Sequence, residues 1–383
     1  MKVDEERFLR ELEILVNMDS ASNNPAGITA VAQWFRERFD RLGWKTELAD
    51  LGDGTGKALV VKNREAEHYD ALLSGHLDTV FPRGETASRP FRRDETRAYG
   101  VGVIDMKQGD LTILHVLEQL PPKVSEKLNI VAVFNPDEEI GSGFSRELID
   151  SYARISDYAY VFEAASTDGS RCIRRKGSYG AHVRFHGVSG HAGFLLDGGM
   201  YSAINELIYW GAELNTHTSA QTGTTVNIGI INGGRAVNIV PDLAEMRFEA
   251  RYEKRSELDR LLGTIEGLKE HAAQSHVRAE FLYQKYSQPM EPSQRTLDYA
   301  EHIRALSEAH GIPFKHKGRG GLSDANHISL CGPVCVDGLS PTGDFDHSER
   351  EYLELSTIRP NLEFAWLLLC DLAENKSTLF KER

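Results

Sequence analysis

The apolar positions of the first 175 residues alternate between helical spacing and short continuous runs. Phe8, Leu12 and Leu15 recur at helical spacing within residues 5–17, and a second helix is predicted from Pro25 to Gly43. A further helix is predicted at 108–120. Apolar runs typical of buried strands lie at 58–61, 71–73, 129–134 and 158–162. Strands that alternate with helices predict an α/β fold with a doubly wound, mostly parallel sheet.

The pattern changes after about residue 175. The predicted order becomes strand, helix, strand, strand, helix, strand, which is the order of a ferredoxin-like α+β module. These elements cover 181–187, 198–215, 224–231, 243–252, 255–274 and 277–283. Helix–strand alternation then resumes, and a long closing helix is predicted at 350–373. We therefore expect one α/β domain formed by residues 1–175 and 289–383, with residues 176–288 inserted into it as a second domain.

Composition excludes several classes of partner. The net charge of −13 argues against a nucleic-acid backbone as ligand. The chain contains no run of eighteen apolar residues, so no transmembrane helix is predicted, and its start lacks the apolar core of a signal peptide. Four cysteines in 383 residues do not form a disulfide framework. We expect a cytoplasmic protein that binds neither nucleic acid nor membrane.

Five candidate metal ligands follow the predicted strands or lie in the loops after them. They are His76, Asp105, Glu139, Glu163 and His347. Functional sites gather at the carboxyl ends of strands in open parallel sheets. A carboxylate has two oxygens, so Asp105 can bridge two ions. Glu139 and His347 would complete the site of one ion, and His76 and Glu163 that of the other.

Two more acidic residues accompany these ligands. Asp78 lies two residues after His76, so both side chains point to one face of an extended chain, and Asp78 can accept the second ring proton of His76. Glu138 lies beside Glu139 but is not needed as a ligand. It is therefore placed to act as general base toward a water held between two metal ions.

Each of these signals also has a structural explanation when it is taken alone. A His-X-Asp sequence at a strand end is often structural, adjacent glutamates commonly begin an exposed helix, and Asp105 could be a helix cap. Gly100-Val101-Gly102 is similar to a dinucleotide-binding loop, but Asp105 stands where the third glycine is required, and it would repel pyrophosphate. The joint occurrence of the signals, in this order, favours a two-metal hydrolase.

At this point the chain resembles the co-catalytic zinc metallopeptidases that include glutamate carboxypeptidase, aminoacylase, acetylornithine deacetylase and succinyl-diaminopimelate desuccinylase. The resemblance covers nearly the whole chain and is nearest to glutamate carboxypeptidase-like members. The segments that carry it are Gly75-His76-Leu77-Asp78-Thr79-Val80, Gly102-Val103-Ile104-Asp105-Met106-Lys107, Asp137-Glu138-Glu139-Ile140-Gly141-Ser142, Gly190-His191-Ala192-Gly193, Gly320-Gly321-Leu322-Ser323-Asp324-Ala325 and His347-Ser348-Glu349.

The resemblance implies a role for each matching residue. The five ligand candidates would hold two zinc ions per chain, with cobalt or manganese as substitutes, and Asp78 and Glu138 would be catalytic. The inserted domain would be a lid that forms a homodimer, and its His191 would reach the neighbouring subunit's active site and steady the oxyanion. Asn238, Arg251 and Gly321 would bind the substrate, for which the fork of an arginine suits a free carboxylate.

The implied activity is hydrolysis of a peptide or amide bond next to a free carboxylate, in a small peptide or an N-acyl amino acid. Glutamate at position 163 favours a carboxypeptidase or a deacylase over an aminopeptidase, and the sequence leaves those two open. A non-catalytic scaffold relative is the alternative of another class. The chain departs from the family pattern at Asp344-Phe345-Asp346, where many members carry glycines, so the substrate preference of a named member does not transfer.

Overall fold

The computed structural model describes residues 1–312 and 314–379, and the chain divides into two compact units. The first unit comprises Met1–Ile173, Pro292–Gly318 and Ser323–Arg383, and the second comprises Arg174–Glu291 and Arg319–Leu322. None of the described helices combines the length and the apolar character that crossing a bilayer requires.

Helices and strands follow one another along the chain within the following bounds. Up to residue 175 they are α1 Glu5–Val16, α2 Pro25–Arg41, β1 Lys45–Ala49, β2 Ala58–Lys62, β3 Tyr69–His76, α3 Glu85–Ser88, β4 Arg92–Arg93, β5 Arg97–Tyr99, α4 Lys107–Glu118, α5 Pro122–Lys127, β6 Ile130–Asn135, α6 Arg146–Arg154, β7 Ser156–Val161, β8 Ala164–Ala165 and β9 Arg171–Arg175. They continue with β10 Gly177–His186, β11 Gly190–His191, α7 Ala203–Asn215, β12 Thr225–Gly233, β13 Ile239–Val240, β14 Leu243–Tyr252, α8 Arg255–Gln274 and β15 Arg278–Ser287. The last elements are α9 Gln294–Ala309, β16 His316–Arg319, α10 Ala325–Leu330, β17 Val334–Val336, β18 Ser340–Asp344, β19 Tyr352–Glu354 and α11 Ile358–Leu379.

The main sheet of the first unit has the strand order β1-β2-β6-β3-β7-β17. Strands β6, β3, β7 and β17 are parallel to one another, whereas β1 and β2 join the sheet through antiparallel pairing. Every residue of β3, β6 and β7 is buried. Burial on both faces of a sheet is the physical reason why these strands form continuous apolar runs in the sequence.

A second sheet in the first unit, with the order β4-β5-β19-β18-β8, corrects one prediction. The closing helix begins at Ile358, and the start of the predicted segment 350–373 forms β19 and a 3-10 turn at Leu355–Thr357. Leu353 is fully buried and pairs with Ala98 on one side and Gly343 on the other. These partners are distant in sequence, so local helical spacing could not reveal the strand.

The second unit contains the antiparallel sheet β12-β14-β10-β15, and α7 and α8 pack against it. Its elements follow the predicted order, and α8 has the predicted bounds of residues 255–274. The helix predicted at 198–215 begins later, at Ala203. Gly198 and Gly199 both have positive φ, and the Ser202 hydroxyl caps the helix by accepting a hydrogen bond from the backbone N–H of Asn205.

Candidate active site

His76 is the last residue of β3, where helix α4 approaches the strand closely. A Cβ on the preceding residue, Gly75, would lie 2.2 Å from Asp110 Oδ1 of α4. Glycine at this position therefore leaves room for the Asp110 side chain beside the end of the strand. The resulting burial leaves 1% of the His76 side chain exposed and fixes its ring at the carboxyl edge of the sheet.

Asp105 lies in the turn before α4 and faces two histidines. Its Oδ1 is 2.9 Å from His76 Nε2, and its Oδ2 is 3.1 Å from His347 Nε2. Glu139 Oε2 lies 3.2 Å from the same nitrogen of His347, and Glu163 Oε1 lies 3.8 Å from His76 Nε2. The five predicted ligands thus converge in the first unit, with one Asp105 oxygen directed to each histidine.

The electrostatics of this cluster favour a cation. Hydrogen bonds that the His347 ring donates to the Asp105 and Glu139 carboxylates raise the pKa of His347 to about 11. Burial opposes a charge on His76, but the Asp105 and Asp78 carboxylates raise its pKa well above 6.5. Imidazole nitrogens and carboxylate oxygens are the donors that zinc prefers when the imidazoles are neutral. The residues therefore fit a divalent metal ion in place of the protons.

The described residues contain two overlapping groups of potential metal ligands, and within each group the ligand atoms lie within 4.8 Å of one another. One group is His76, Asp105 and Glu139, and the other is Asp105, Asp346 and His347. Asp105 belongs to both groups, as expected of a bridging carboxylate. Asp346 was identified in the sequence only as a departure from the family pattern, and the structure brings its carboxylate to the edge of the site.

Asp78 connects His76 to the segment that carries the two glutamates. The nearest acceptor for His76 Nδ1 is the main-chain oxygen of Asp78, at 3.0 Å, and the Asp78 carboxylate lies at 3.4 Å. That carboxylate also accepts the backbone N–H groups of Glu138 and Glu139, at 3.1 and 3.3 Å. Asp78 is fully buried, so it holds the ligand histidine and the 3-10 turn Glu138–Ile140 as one assembly.

Glu138 lies beside the ligand cluster and takes no part in it. Burial raises the pKa of Glu138 well above its ordinary value, and the negative charges of Glu163 and Asp324 raise it further. The Glu138 carboxylate accepts no hydrogen bond from the described part of the chain. A carboxyl group of this kind can accept a proton during a reaction and release it again.

Glu351 is a buried acid that was not identified from the sequence. Its carboxylate accepts hydrogen bonds from the backbone N–H groups of Gly102, Ile104 and Asp105, at 3.1, 2.8 and 3.2 Å. Burial raises the pKa of Glu351 to about 8, although the three N–H donors oppose this. The only sequence signal was its position four residues after His347, and the helix predicted at 350–373 concealed it.

The other predicted residues lie in the second unit. His191 pairs with Ile239 across β11 and β13, and the backbone N–H of Ala192 donates to the main-chain oxygen of Asn238 at 2.9 Å. The structure therefore brings His191 and Asn238 together, and both are exposed. Arg251 lies at the end of β14 and is paired with Glu249. Gly321 accepts a hydrogen bond from Arg175 through its main-chain oxygen at 3.1 Å.

The sequence and the fold are both similar to those of known hydrolases. Residues 72–370 match the model of peptidase family M20/M25/M40. Carboxypeptidase G2 from Pseudomonas sp. strain RS-16 is 28% identical over 375 residues, which are 96% of this chain and 90% of that protein. N-acetyl-L-citrulline deacetylase from Xanthomonas campestris pv. campestris is 29% identical over 276 residues, 69% of this chain and 72% of that one.

Among solved structures, a tripeptidase from Staphylococcus aureus superposes with a TM-score of 0.79 at 21% identity, covering 97% of this chain and 99% of that one. At this identity the superposition establishes the fold. The family match spans most of the chain and includes the segments that carry all five converging ligand candidates and Glu138. The chain therefore belongs to peptidase family M20/M25/M40, and it is a metal-dependent hydrolase of peptide or amide bonds.

Proposed function

We propose that this chain is a carboxypeptidase that uses two divalent metal ions to hydrolyse a peptide or amide bond next to a free carboxylate. The observation that carries the proposal is the division of the Asp105 carboxylate between His76 and His347, each of which lies near a second acid. The similarity to carboxypeptidase G2 over 96% of the chain supports the choice among hydrolases.

The ligand set separates into two halves around Asp105. His76 and Glu163 would hold one ion, His347 and Glu139 would hold the other, and Asp105 would bind both. Nitrogen and oxygen donors suit zinc, with cobalt or manganese as substitutes. When bound, such a pair of ions polarises the scissile carbonyl and lowers the pKa of a water between them.

Glu138 would take the proton from that water and later give it to the leaving amine. Two observations support this role. Glu138 lies beside Glu139, and its carboxylate accepts no hydrogen bond from an N–H or O–H group of the described residues. Asp78 would keep Glu138 in position through the backbone N–H groups of Glu138 and Glu139. The hydrogen bonds to the Asp78 carboxylate are therefore part of the catalytic apparatus and not only of the fold.

We assign the catalytic role to residues 1–175 and 289–383, which would form a doubly wound domain, and the lid and dimerisation role to residues 176–288. His191 would act on the oxyanion in the neighbouring subunit, and Asn238, Arg251 and Gly321 would bind the substrate carboxylate. Support for an interface comes from the exposed apolar side chains near His191, among them Phe194 and the fully exposed Leu196 and Val237. Arg251 would leave its ion pair with Glu249 and bind the substrate carboxylate instead.

A deacylase of small N-acyl amino acids is the second candidate. The observation that favours it is the similarity to N-acetyl-L-citrulline deacetylase over 69% of the chain. A panel of dipeptides ending in glutamate, aspartate, glycine or arginine, assayed beside N-acetyl amino acids, separates the two activities. Higher kcat/KM for the dipeptides supports the carboxypeptidase, and higher values for the N-acetyl amino acids refute it.

The catalytic assignment is tested with Glu138→Ala. We expect turnover to fall by about 10²–10⁴-fold, the range for general acid–base catalysis, while zinc content stays at the wild-type level. Glu147→Ala is the matched control, because Glu147 is an exposed glutamate of α6 whose ion pair within the described chain is with Arg154. Turnover within about tenfold of wild type would remove Glu138 from the mechanism. Wild-type protein that binds no zinc would support the scaffold alternative.

A further inference from the structure

A single buried carboxylate holds the backbone of the loop that presents Asp105. Both oxygens of Glu351 are used, because Oε1 accepts the N–H groups of Ile104 and Asp105, and Oε2 accepts that of Gly102. The side chain is 1% exposed. Burying a carboxyl group costs free energy unless it is hydrogen-bonded, and the three backbone donors supply these bonds and tie the loop to Glu351.

The shape of the loop explains why its N–H groups converge. Gly102 has φ of 69°, in the left-handed region, and a Cβ there would lie 2.5 Å from the side chain of Thr79. The backbone therefore turns at a position that only glycine can occupy, and the N–H groups on both sides of the turn point inward. Without an acceptor these donors would be buried and unsatisfied.

Glu351 also connects two ligands that are far apart in the chain. It precedes β19, which pairs with β18, the strand that leads to His347. Its hydrogen bond to the Asp105 N–H joins residues 246 positions apart. A displacement of either segment would therefore change the position of the Asp105 carboxylate relative to the His347 ring.

We propose that Glu351 is a positioning residue that sets the orientation of Asp105 and, through it, the affinity of the site for its metal ions. This inference rests on the proposed ligand set. Groups that orient metal ligands commonly change metal affinity or activity by about 10–100-fold when they are replaced. Glutamine at position 351 offers one acceptor oxygen and an NH₂ group, so at least one loop N–H would face another donor.

Glu354 provides a matched control on β19, the strand that Glu351 directly precedes. Its carboxylate lies 3.2 Å from Arg97 Nε in a pair that is partly exposed, and it makes no hydrogen bond to the loop of residues 100–105 within the described chain. Replacing Glu354 with glutamine also removes one acid from β19. It therefore controls for the loss of a carboxyl group and for disturbance of the strand.

The test compares Glu351→Gln, Glu351→Asp and Glu354→Gln in the full chain. Zinc affinity is measured by calorimetry and chelator competition, and the thermal unfolding of each metal-free protein reports on folding. We expect Glu351→Gln to bind zinc about 10–100-fold more weakly and to lose a similar factor in kcat. KM should stay within about threefold, because substrate binding is not removed.

We expect Glu351→Asp to weaken zinc binding as well, because it keeps the carboxyl group but is too short to reach all three N–H groups, and it carries the test if the glutamine variant fails to fold. Wild-type zinc affinity and kcat in Glu351→Gln would overturn the inference, as would equal losses in Glu354→Gln. Asp105→Asn separates this failure from failure of the proposed function. If Asp105→Asn keeps both ions, the ligand set itself is wrong. If it loses them while Glu351→Gln keeps them, only the role of Glu351 is wrong.

Discussion

Replacing His327 with glutamine is expected to destabilise the first unit at neutral pH and to matter much less in alkaline solution. The buried imidazole lies between two carboxylates, with Nδ1 2.5 Å from Asp150 Oδ1 and Nε2 3.0 Å from Asp324 Oδ1. Burial opposes the charge, but the two acids raise the pKa of His327 from 6.5 to about 9. At about 1.4 kcal/mol per pH unit, this rise corresponds to about 3 kcal/mol of stability.

The direction of the pH dependence follows from the raised pKa. The folded chain holds the His327 proton more tightly than the unfolded chain, so the contribution is complete below the unfolded pKa of 6.5 and is lost as pH rises through about 9. Asp150 and Asp324 face the ring, with Arg146 3.7 Å from Asp150 and the Cys331 thiol directed to the His327 main-chain oxygen. The pKa values of Asp150 and Asp324 are both lowered, so the two acids stay charged and the stabilisation is lost on the acid side only in strong acid.

Urea unfolding at several pH values, followed by tryptophan fluorescence, measures the effect. Three of the four tryptophans, Trp34, Trp44 and Trp366, lie in the first unit. The stability difference between wild type and His327→Gln should fall by about 3 kcal/mol between about pH 6 and pH 10. His302→Gln is the control, because His302 contacts one carboxylate, Asp371, and is more exposed. A difference that does not change with pH would refute the reasoning.

Two other perturbations test buried acids and the interface. Asp110 is fully buried, neither carboxylate oxygen has a hydrogen-bond partner among the described residues, and burial raises its pKa well above the ordinary value. Asp110→Asn should therefore be more stable than wild type, because only the wild type must keep a proton on this side chain. In urea unfolding, the stability difference should grow from about pH 5 to about pH 8. A difference that shrinks over this range would contradict the prediction. Mixing Glu138→Ala with His191→Ala should restore activity through mixed dimers, whereas heterodimers that stay inactive would exclude action across subunits.

The buried strands and their order were accessible from the sequence because burial on both faces leaves a local signature. Residues 129–134 form an apolar run, and β6 occupies nearly the same segment. By contrast, β19 is three residues long and one of its faces is polar. Tyr352 and Leu353 become a strand only because residues 97–99 and 343–344 lie on either side, which is information that no local window contains.

The same distinction separates Asp105 from Glu351. Asp105 could be identified as a ligand candidate because its residue type, its position before a helix and its neighbours in sequence carry the chemistry. Glu351 is an ordinary glutamate in a charged stretch, and its role depends on backbone N–H groups that lie 246, 247 and 249 positions earlier. Residue types identify the groups that can bind a metal, but the backbone that orients these groups becomes visible only in the folded chain.

This difference in visibility has a physical cause. A zinc ligand is almost always a histidine, a cysteine or a carboxylate, so the metal restricts the residue type and candidates can be found in the sequence. A residue that holds a ligand in place only has to satisfy whichever backbone donors the loop presents. In this chain the loop at Gly102 presents three such donors, and a single glutamate satisfies them. The orientation of the Asp105 carboxylate therefore depends on Glu351, a residue that its residue type alone does not identify as functional.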